Sequence, residues 1–280
     1  MVRKRAFTLV ELLVVIAIIA LLLSIVVPSL RKARAIAQNV ICQSNLRQTS
    51  LLIFLYANDN DGSFNRGIFD TASSTDKSVY WLIAYSPYMD EAYDGLLCPA
   101  TVELKPGQSY AGNHKAAWPS TWAEGLRDVS GGSYGKNSWC SNPDTFQNPT
   151  RTVPSGHTYE QAAFPRITEL PAPGEVPLFG DCYWWMAYPL ETDGPWRDGD
   201  YFGRSAYPND GNTQRPDMAR FTLDRHPRGQ INMSFGDNSV RPVHIKELWS
   251  LRWHRHFDRN NEWNRLDRTD PAWPQWMRGL

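Results

Sequence analysis

The sequence predicts an α+β protein, with one N-terminal helix of about 50 residues packed on a C-terminal antiparallel β-sheet domain that carries long loops. Three observations predict it. An unbroken apolar run from Leu12 to Val27 continues past Pro28 as a three- and four-residue pattern to Tyr56. A dense turn signal, Asn58-Asp59-Asn60-Asp61-Gly62, then stops it. Two strand-like segments follow in the C-terminal half, the second leading into a hairpin. Composition agrees with a folded chain: 42% hydrophobic and 21% charged, with 12 Trp, 12 Tyr and 11 Phe, which excludes disorder as a description of most of it. A formal net charge of zero excludes the strongly basic footprint of a nucleic-acid binder.

The first half of the helix has the dimensions of a membrane span. Phe7 to Val27 is 21 residues, or ~31 Å at ~1.5 Å per residue, the thickness of a bilayer's hydrocarbon core. The run is too long for the apolar region of a secretory signal peptide, and Pro28-Ser29-Leu30-Arg31-Lys32 is not a small-residue cleavage site. Arg3, Lys4 and Arg5 precede the segment while Arg31, Lys32 and Arg34 follow it, so flanking charge barely discriminates orientation. Glu11 is a carboxylate inside this apolar segment. Such a group is costly in lipid and is a functional hypothesis by default.

The second half reads as an amphipathic continuation. Leu30, Ala33, Ala37, Val40 and Ile41 recur at helical spacing, then Leu51, Leu52, Leu55 and Tyr56, with no Gly or Pro between Ser29 and Ala57. A helix from Phe7 to Asn58 would be ~78 Å long. This apolar stripe is expected to face the globular domain.

The rest is mixed. Val176 to Phe179 and Ile231 to Phe235 read as strands, the second placing Ile231, Met233 and Phe235 on one face. Gly236-Asp237-Asn238-Ser239 reads as a hairpin turn, Val240 to Ile245 as its return strand, and Lys246 to Trp253 as a short helix. Between Thr101 and Thr152, and again between Glu191 and Pro216, turn-forming residues dominate and predict long loops.

These residues carry a family resemblance. Ala6-Phe7-Thr8-Leu9-Val10-Glu11, followed by about 20 apolar residues, resembles the processing and methylation site of type IV prepilins and type II secretion pseudopilins. The resemblance implies that prepilin peptidase cuts between Ala6 and Phe7 and that Phe7 is then N-methylated; Ala6 stands where Gly is usual. It also implies that Pro28 kinks the helix. Further landmarks resemble pilin-like proteins that end in an H-x9-DG motif: the segment from Cys42 to Thr49, Leu97-Cys98-Pro99, Ser133 to Asn137, Leu178 to Asp181, and His226 through Asp237. Here the last is spaced His-x10-Asp-Asn. The implied organisation is a leader at 1–6, a transmembrane half-helix at 7–27, an amphipathic half-helix at 28–58 and an extracytoplasmic α+β domain at 59–280. Loss of the leader removes three of the 29 basic residues, leaving 26 against 29 acidic and a charge of −3.

Cleavage would leave an amine on Phe7 one helical turn from Glu11. In stacked subunits Glu11 can pair with a neighbour's Phe7 amine and set the axial register, since a paired buried charge costs far less than a lone one. The partners implied are prepilin peptidase, other pilin-like subunits and the bacterial inner membrane, with no nucleic acid.

Other candidates have blander readings. Cys42, Cys98, Cys140 and Cys182 include no C-x-x-C pair; outside the cytoplasm they permit two disulfides, and buried free thiols are the alternative. His226 and Asp237 have no catalytic device beside them and are expected to hold the hairpin by hydrogen bonds. His244, His254, His256 and Asp258 could supply metal ligands, but no ligand-bearing face is defined, and no metal site is assigned. The Asn58–Gly62 turn is oxygen-rich, yet Ile68 stands where a calcium loop needs Glu; helix termination is the better account, and no cofactor other than calcium comes into question. Trp249, Trp253, Trp263, Trp273 and Trp276, among eight Arg and Lys from Arg241 onward, either pack on the domain or bind sugars. The reading is a non-enzymatic pilin-like subunit. The alternative is a membrane-anchored surface protein that binds polysaccharide and uses the pilin segment for export.

Overall fold

The computed structural model describes residues 8–67, 80–89, 93–101, 117–119, 131–143, 152–197 and 216–280. Helix α1 spans Leu9–Asp59, 51 residues. Its start is fixed locally. Thr8 is the N-cap, its hydroxyl accepting from the Glu11 N–H at 3.3 Å while Glu11 Oε2 accepts from the Thr8 N–H at 2.8 Å, a complete capping box. Its end is the expected turn. Asp61 and Gly62 adopt left-handed backbone at φ 52° and 76°, and the Gly62 N–H reaches back to the Ala57 carbonyl at 2.7 Å, satisfying an orphan acceptor of the last turn. Pro28 lies inside the helix, which runs on through it; its missing N–H deprives the Ser24 carbonyl of a helical donor.

A short helix α2, Trp81–Tyr85, packs beside α1. Two small strands, β1 (Trp118–Pro119) and β2 (Gly131–Gly132), pair antiparallel. The main sheet comprises β3 (Tyr134–Asn137), β4 (Pro177–Asp181), β5 (Met186–Ala187), β6 (Gln230–Phe235) and β7 (Val240–His244), in the order β5-β3-β4-β6-β7. The β3–β4, β4–β6 and β6–β7 pairs are antiparallel. The β3–β5 pair is parallel, so the sheet is mixed rather than wholly antiparallel. The fold is α+β and pilin-like: a long N-terminal helix laid on a five-stranded sheet.

The predicted hairpin is present, with Asn238 at φ 60° in the turn and the Phe235 N–H bonded to the Ser239 carbonyl at 3.0 Å. The expected helix after it is a 3-10 segment, Ile245–Ser250, capped by the His244 ring nitrogen. The region between Thr101 and Thr152, expected as loop, instead supplies the interior strand β3. Its glycine explains the misreading. A Cβ on Gly135 would lie 2.5 Å from the Trp184 carbonyl oxygen and 2.7 Å from Cys182 Cβ, so this strand needs glycine for close approach rather than for a turn.

The two faces of the sheet differ in chemistry. On β6, Ile231, Met233 and Phe235 point away from α1, where Met233 meets Phe221 at Gly180 and Phe221 packs on Trp253 at 4.8 Å. Asn232 faces the helix, its Nδ2 donating to Asn39 Oδ1 at 2.7 Å. The buried residues of α1 are Cys42, Leu46, Thr49, Ser50, Ile53 and Ala57. At 100° per residue these fall within a single face. Leu30, Ala33, Ala37, Val40, Leu51 and Leu55 fall on the opposite face, and Leu30, Val40, Leu51 and Leu55 are 66%, 59%, 45% and 42% exposed. The predicted stripe is split: Leu30, Ala33, Ala37, Val40, Ile41, Leu51 and Leu55 are exposed, while Leu52 and Tyr56 are half-buried and pack against the core. The helix meets the sheet through a mixed face whose polar groups are bonded: Gln38 Nε2 to the Pro99 carbonyl at 2.8 Å and Asn45 Nδ2 to the Leu97 carbonyl at 3.0 Å.

Candidate functional site

Two places in the molecule carry chemistry. The first is the bare stretch of α1. Every residue from Leu9 to Val27 is exposed, and the most apolar stretch of the helix has no residue buried within the molecule. It is long and apolar enough to serve as a single-pass membrane anchor. Glu11 sits one turn into it, with Oε2 also accepting from the Thr8 hydroxyl at 2.8 Å. Ala6 and Phe7, the expected processing site, lie outside the described residues.

The second place is buried where α1 crosses the sheet. Cys42 comes from α1, Cys98 from the segment after a 3-10 turn at Tyr93–Leu96, Asp181 from the end of β4, and His226 from the approach to β6. One ligand-capable atom of each lies within 4.8 Å of all the others, and all four residues are buried. Cys42 Sγ is 3.6 Å from Asp181 Oδ1, Cys98 Sγ is 3.6 Å from His226 Nε2, and His226 Nε2 is 3.1 Å from Asp181 Oδ2. Around them, the Asn232 N–H donates to Asp181 Oδ2 at 2.8 Å and the Tyr134 hydroxyl to Cys42 Sγ at 3.3 Å. Arg225, also buried, sets Nη1 3.9 Å from Asp181 Oδ1 and donates from it to the Ser133 carbonyl at 2.7 Å.

Cys98, His226 and Asp181 are the residue types of a nucleophilic triad, but the geometry is not that of one. In a triad the carboxylate holds one ring nitrogen and the nucleophile meets the other. Here thiol and carboxylate both face Nε2 of His226. Donor atoms converge on a point instead of forming a relay.

Electrostatics follow from that convergence. Burial pulls the His226 pKa down, but hydrogen bonds and charge from Asp181 and Cys98 outweigh it and raise the value to about 10. Burial pushes Asp181 up, yet His226, Arg225 and the Asn232 N–H hold its carboxyl below the usual range. A hydrogen bond with Cys42 lowers Cys98 to about 7 against its burial, whereas burial raises Cys42. Cys140 and Cys182 are each pushed up to about 12 by burial.

The remaining candidates are placed here, and one expectation, the pairing of His226 with Asp237, is corrected. All four cysteines are buried free thiols, and the only two in this cluster are Cys42 and Cys98. His226 does not pair with Asp237. Asp237 caps the hairpin turn, Oδ1 accepting from the Ser239 N–H at 2.9 Å, while β6 carries His226 to the opposite end of the strand. His254 bonds Glu191 at 3.1 Å, His256 stacks on His157 with centroids 3.6 Å apart, and Asp258 accepts from the Asn260 N–H, so these residues form no common centre among the described residues. At the Asn58–Gly62 turn, Asp59 Oδ2 accepts from the Tyr88 hydroxyl at 2.8 Å. Trp249, Trp253 and Trp273 are buried and Trp263 and Trp276 half-buried, and Trp249, Trp263 and Trp273 stack with centroids 5.4 to 5.5 Å apart. Trp249, Trp253 and Trp273 are core, and Trp263 and Trp276 pack against it.

Asp181 and Arg225 are the members that motif reading did not single out as a site. A signal existed. The landmarks around Cys42, Cys98, Asp181 and His226 each deliver one residue to the cluster.

Residues 1–27 match the family model for the prokaryotic N-terminal methylation motif. The chain therefore has a prepilin-type start, which supports a pilin-like protein processed by prepilin peptidase. The match stops before the sheet domain. No curated protein matches the chain, and no solved structure does.

Proposed function

We propose that this chain is a non-enzymatic structural subunit, cut between Ala6 and Phe7, anchored by α1 with its sheet domain outside the inner membrane, and assembled through α1 into a type II secretion or type IV pilus-like filament. One observation carries the proposal. The apolar surface of α1 is bare along its first half and stays outward-facing along its second, through Val40, Leu51 and Leu55, where a domain is present and could have covered it. A plain anchor needs lipid-facing residues only within the bilayer. Exposed apolar residues that recur along the sheet domain, though interrupted by Ser44, Arg47 and Gln48, fit packing against α1 of neighbouring subunits.

Glu11 is then the register pin. Its carboxylate is held by its own N-cap in the isolated chain, and in the assembly it exchanges that partner for a neighbour's Phe7 amine. The test is assembly of Glu11→Ala, read by cross-linking within membranes and by yield of sheared filaments. The variant is expected to be processed normally, giving a mature chain that starts at methyl-Phe7 by mass, while assembly falls by at least about tenfold, since stranding one member of a buried charge pair is strongly unfavourable. An uncut Met1 in the wild type would sink the processing reading. Wild-type assembly by Glu11→Ala would sink the register role.

The polysaccharide-binding alternative rested on the tail tryptophans, of which Trp249, Trp253 and Trp273 are buried and Trp263 and Trp276 half-buried, so it has less exposed aromatic surface to draw on.

A further inference from the structure

We propose that Cys42, Cys98, Asp181 and His226 form a structural zinc site that staples the assembly helix to the sheet domain. The inference is independent of how, or whether, the chain assembles.

The donor set is the first argument. Two thiolates, one imidazole and one carboxylate suit zinc, which takes S, N and O ligands in closed four-coordinate sites. The second is distance. A tetrahedral zinc with bonds of about 2.0–2.3 Å requires its ligand atoms to stand roughly 3.3–3.8 Å apart. Taking Asp181 Oδ2 as the carboxylate donor, Cys42 Sγ stands 3.9 Å and His226 Nε2 3.1 Å from it, Cys98 Sγ is 3.6 Å from His226 Nε2, and all four donors lie within 4.8 Å of one another, so small side-chain shifts bring them to that spacing. The third is charge. Two thiolates, a carboxylate and Zn²⁺ sum to −1, and the buried Arg225 beside Asp181 supplies the compensating +1.

The outer groups also fit. The Asn232 N–H orients the Asp181 carboxylate and the Tyr134 hydroxyl contacts Cys42 Sγ, the kind of support that fixes ligand rotamers at metal centres. The sequence separation of the ligands gives the site its purpose. They come from α1, the segment after the 3-10 turn at Tyr93–Leu96, β4 and the approach to β6, so one ion ties the helix to three separate parts of the domain. The interface it would tie is mixed, with Asn39, Asn45, Thr49 and Ser50 beside Leu46, Ile53 and Ala57 on the helix side.

The competing fate of two neighbouring thiols outside the cytoplasm is a disulfide between Cys42 and Cys98. The experiment separates the two. The full-length chain is extracted from membranes in detergent and purified without chelator. Metal content is measured by inductively coupled plasma mass spectrometry, and thiol state by intact mass under non-reducing conditions. The expected result is about one zinc per chain with all four cysteines reduced. Cobalt loaded in place of zinc should show the intense visible bands of a tetrahedral site and thiolate-to-metal charge transfer. His226→Ala and the double variant Cys42→Ser/Cys98→Ser should lose most of the metal. Because those variants could fail to fold, the wild type is also treated with a chelator, and its thermal midpoint should fall and recover on adding zinc alone. A Cys42–Cys98 disulfide, reduced thiols without metal, or stoichiometric binding of a different metal would each overturn the proposal.

Discussion

Both faces of α1 carry apolar residues, but the domain covers only one of them. The side pressed against the sheet buries Leu46, Ile53 and Ala57 beside Cys42, Thr49 and Ser50, while the side left uncovered carries Leu30, Val40, Leu51 and Leu55, interrupted by Ser44, Arg47 and Gln48. An amphipathic helix on a soluble domain turns its apolar stripe inward. Here the domain takes the mixed face and leaves the exposed leucines and valines of the other for something absent from the single chain. The difference teaches that the helix was not shaped by its own domain alone. Its inward side is specified by the packing of Leu46, Ile53 and Ala57, by hydrogen bonds and by the cysteine cluster, and its exposed leucines and valines suit lipid or another α1.

The sharpest way to break this comparison is a matched pair of truncations. Ile53 is fully buried between α1 and the domain, and Leu22 stands bare in the first half of the same helix. Ile53→Ala should destabilise the domain by about 2–5 kcal/mol through lost burial and a residual cavity. Leu22→Ala should leave the domain's thermal midpoint unchanged and weaken only membrane insertion or assembly. Calorimetry of both variants in detergent decides. Equal effects on the midpoint would mean that the bare half is packed in the folded chain and that the contrast is false.

The next effect is electrostatic and belongs to the packed region. Asp193 is pushed up to about 7 by burial, against N–H donors from Leu190 and Met218. Lys136 is pulled down to about 7, also by burial, with its ammonium directed at the Cys140 carbonyl and the Ser141 hydroxyl. The signs are opposite. Between the ordinary Asp value of 3.8 and about 7 the folded state binds the extra proton, so Asp193 makes stability fall as pH rises. Between about 7 and 10.5 the unfolded state binds the extra proton at Lys136, so stability rises with pH. Each limb is of order 1–3 kcal/mol, below the full value of the shifts. Denaturant titrations across pH should show that Asp193→Asn removes the acid-side limb and Lys136→Met the alkaline one. If the pH dependence instead followed removal of Arg31 and Lys32, the bare half would be coupled to the domain's stability.

Much of this was legible in the sequence, and the misses have physical causes. The helix, its stop at Gly62 and the hairpin of Ile231 to Phe235 with Val240 to Ile245 follow from periodicity and turn residues, both of which act over a few positions, whereas the cap at Thr8 was not read. Strand β3 did not, because Gly135 reads as a turn until Cys182 and Trp184 are seen against it. The facing of α1 was lost for a related reason. Periodicity finds the apolar stripe, but only the three-dimensional partner says which way it points. The cysteine cluster was missed since its members are 56, 83 and 45 residues apart along the chain. Local spacing detects metal sites built within a loop or a helix turn, whereas this one exists only when helix and sheet meet.

The smallest expected effect sits at the very start of the helix. In the single chain Glu11 Oε2 accepts from both the Thr8 N–H and the Thr8 hydroxyl, so the residue proposed to pin register is already satisfied at home. Assembly must exchange those local bonds for an intermolecular one. Thr8→Val keeps size and branching while removing the hydroxyl, which breaks the cap and loosens Glu11 without touching the carboxylate. The domain's stability should not move, because nothing from the sheet touches this turn. Assembly should change only slightly and in the favourable direction, since the competing partner is weakened. Quantitative cross-linking of Thr8→Val against wild type and Glu11→Ala reads this out. A loss as large as that of Glu11→Ala would show that the capping box, rather than the intermolecular pair, is what assembly requires of Glu11.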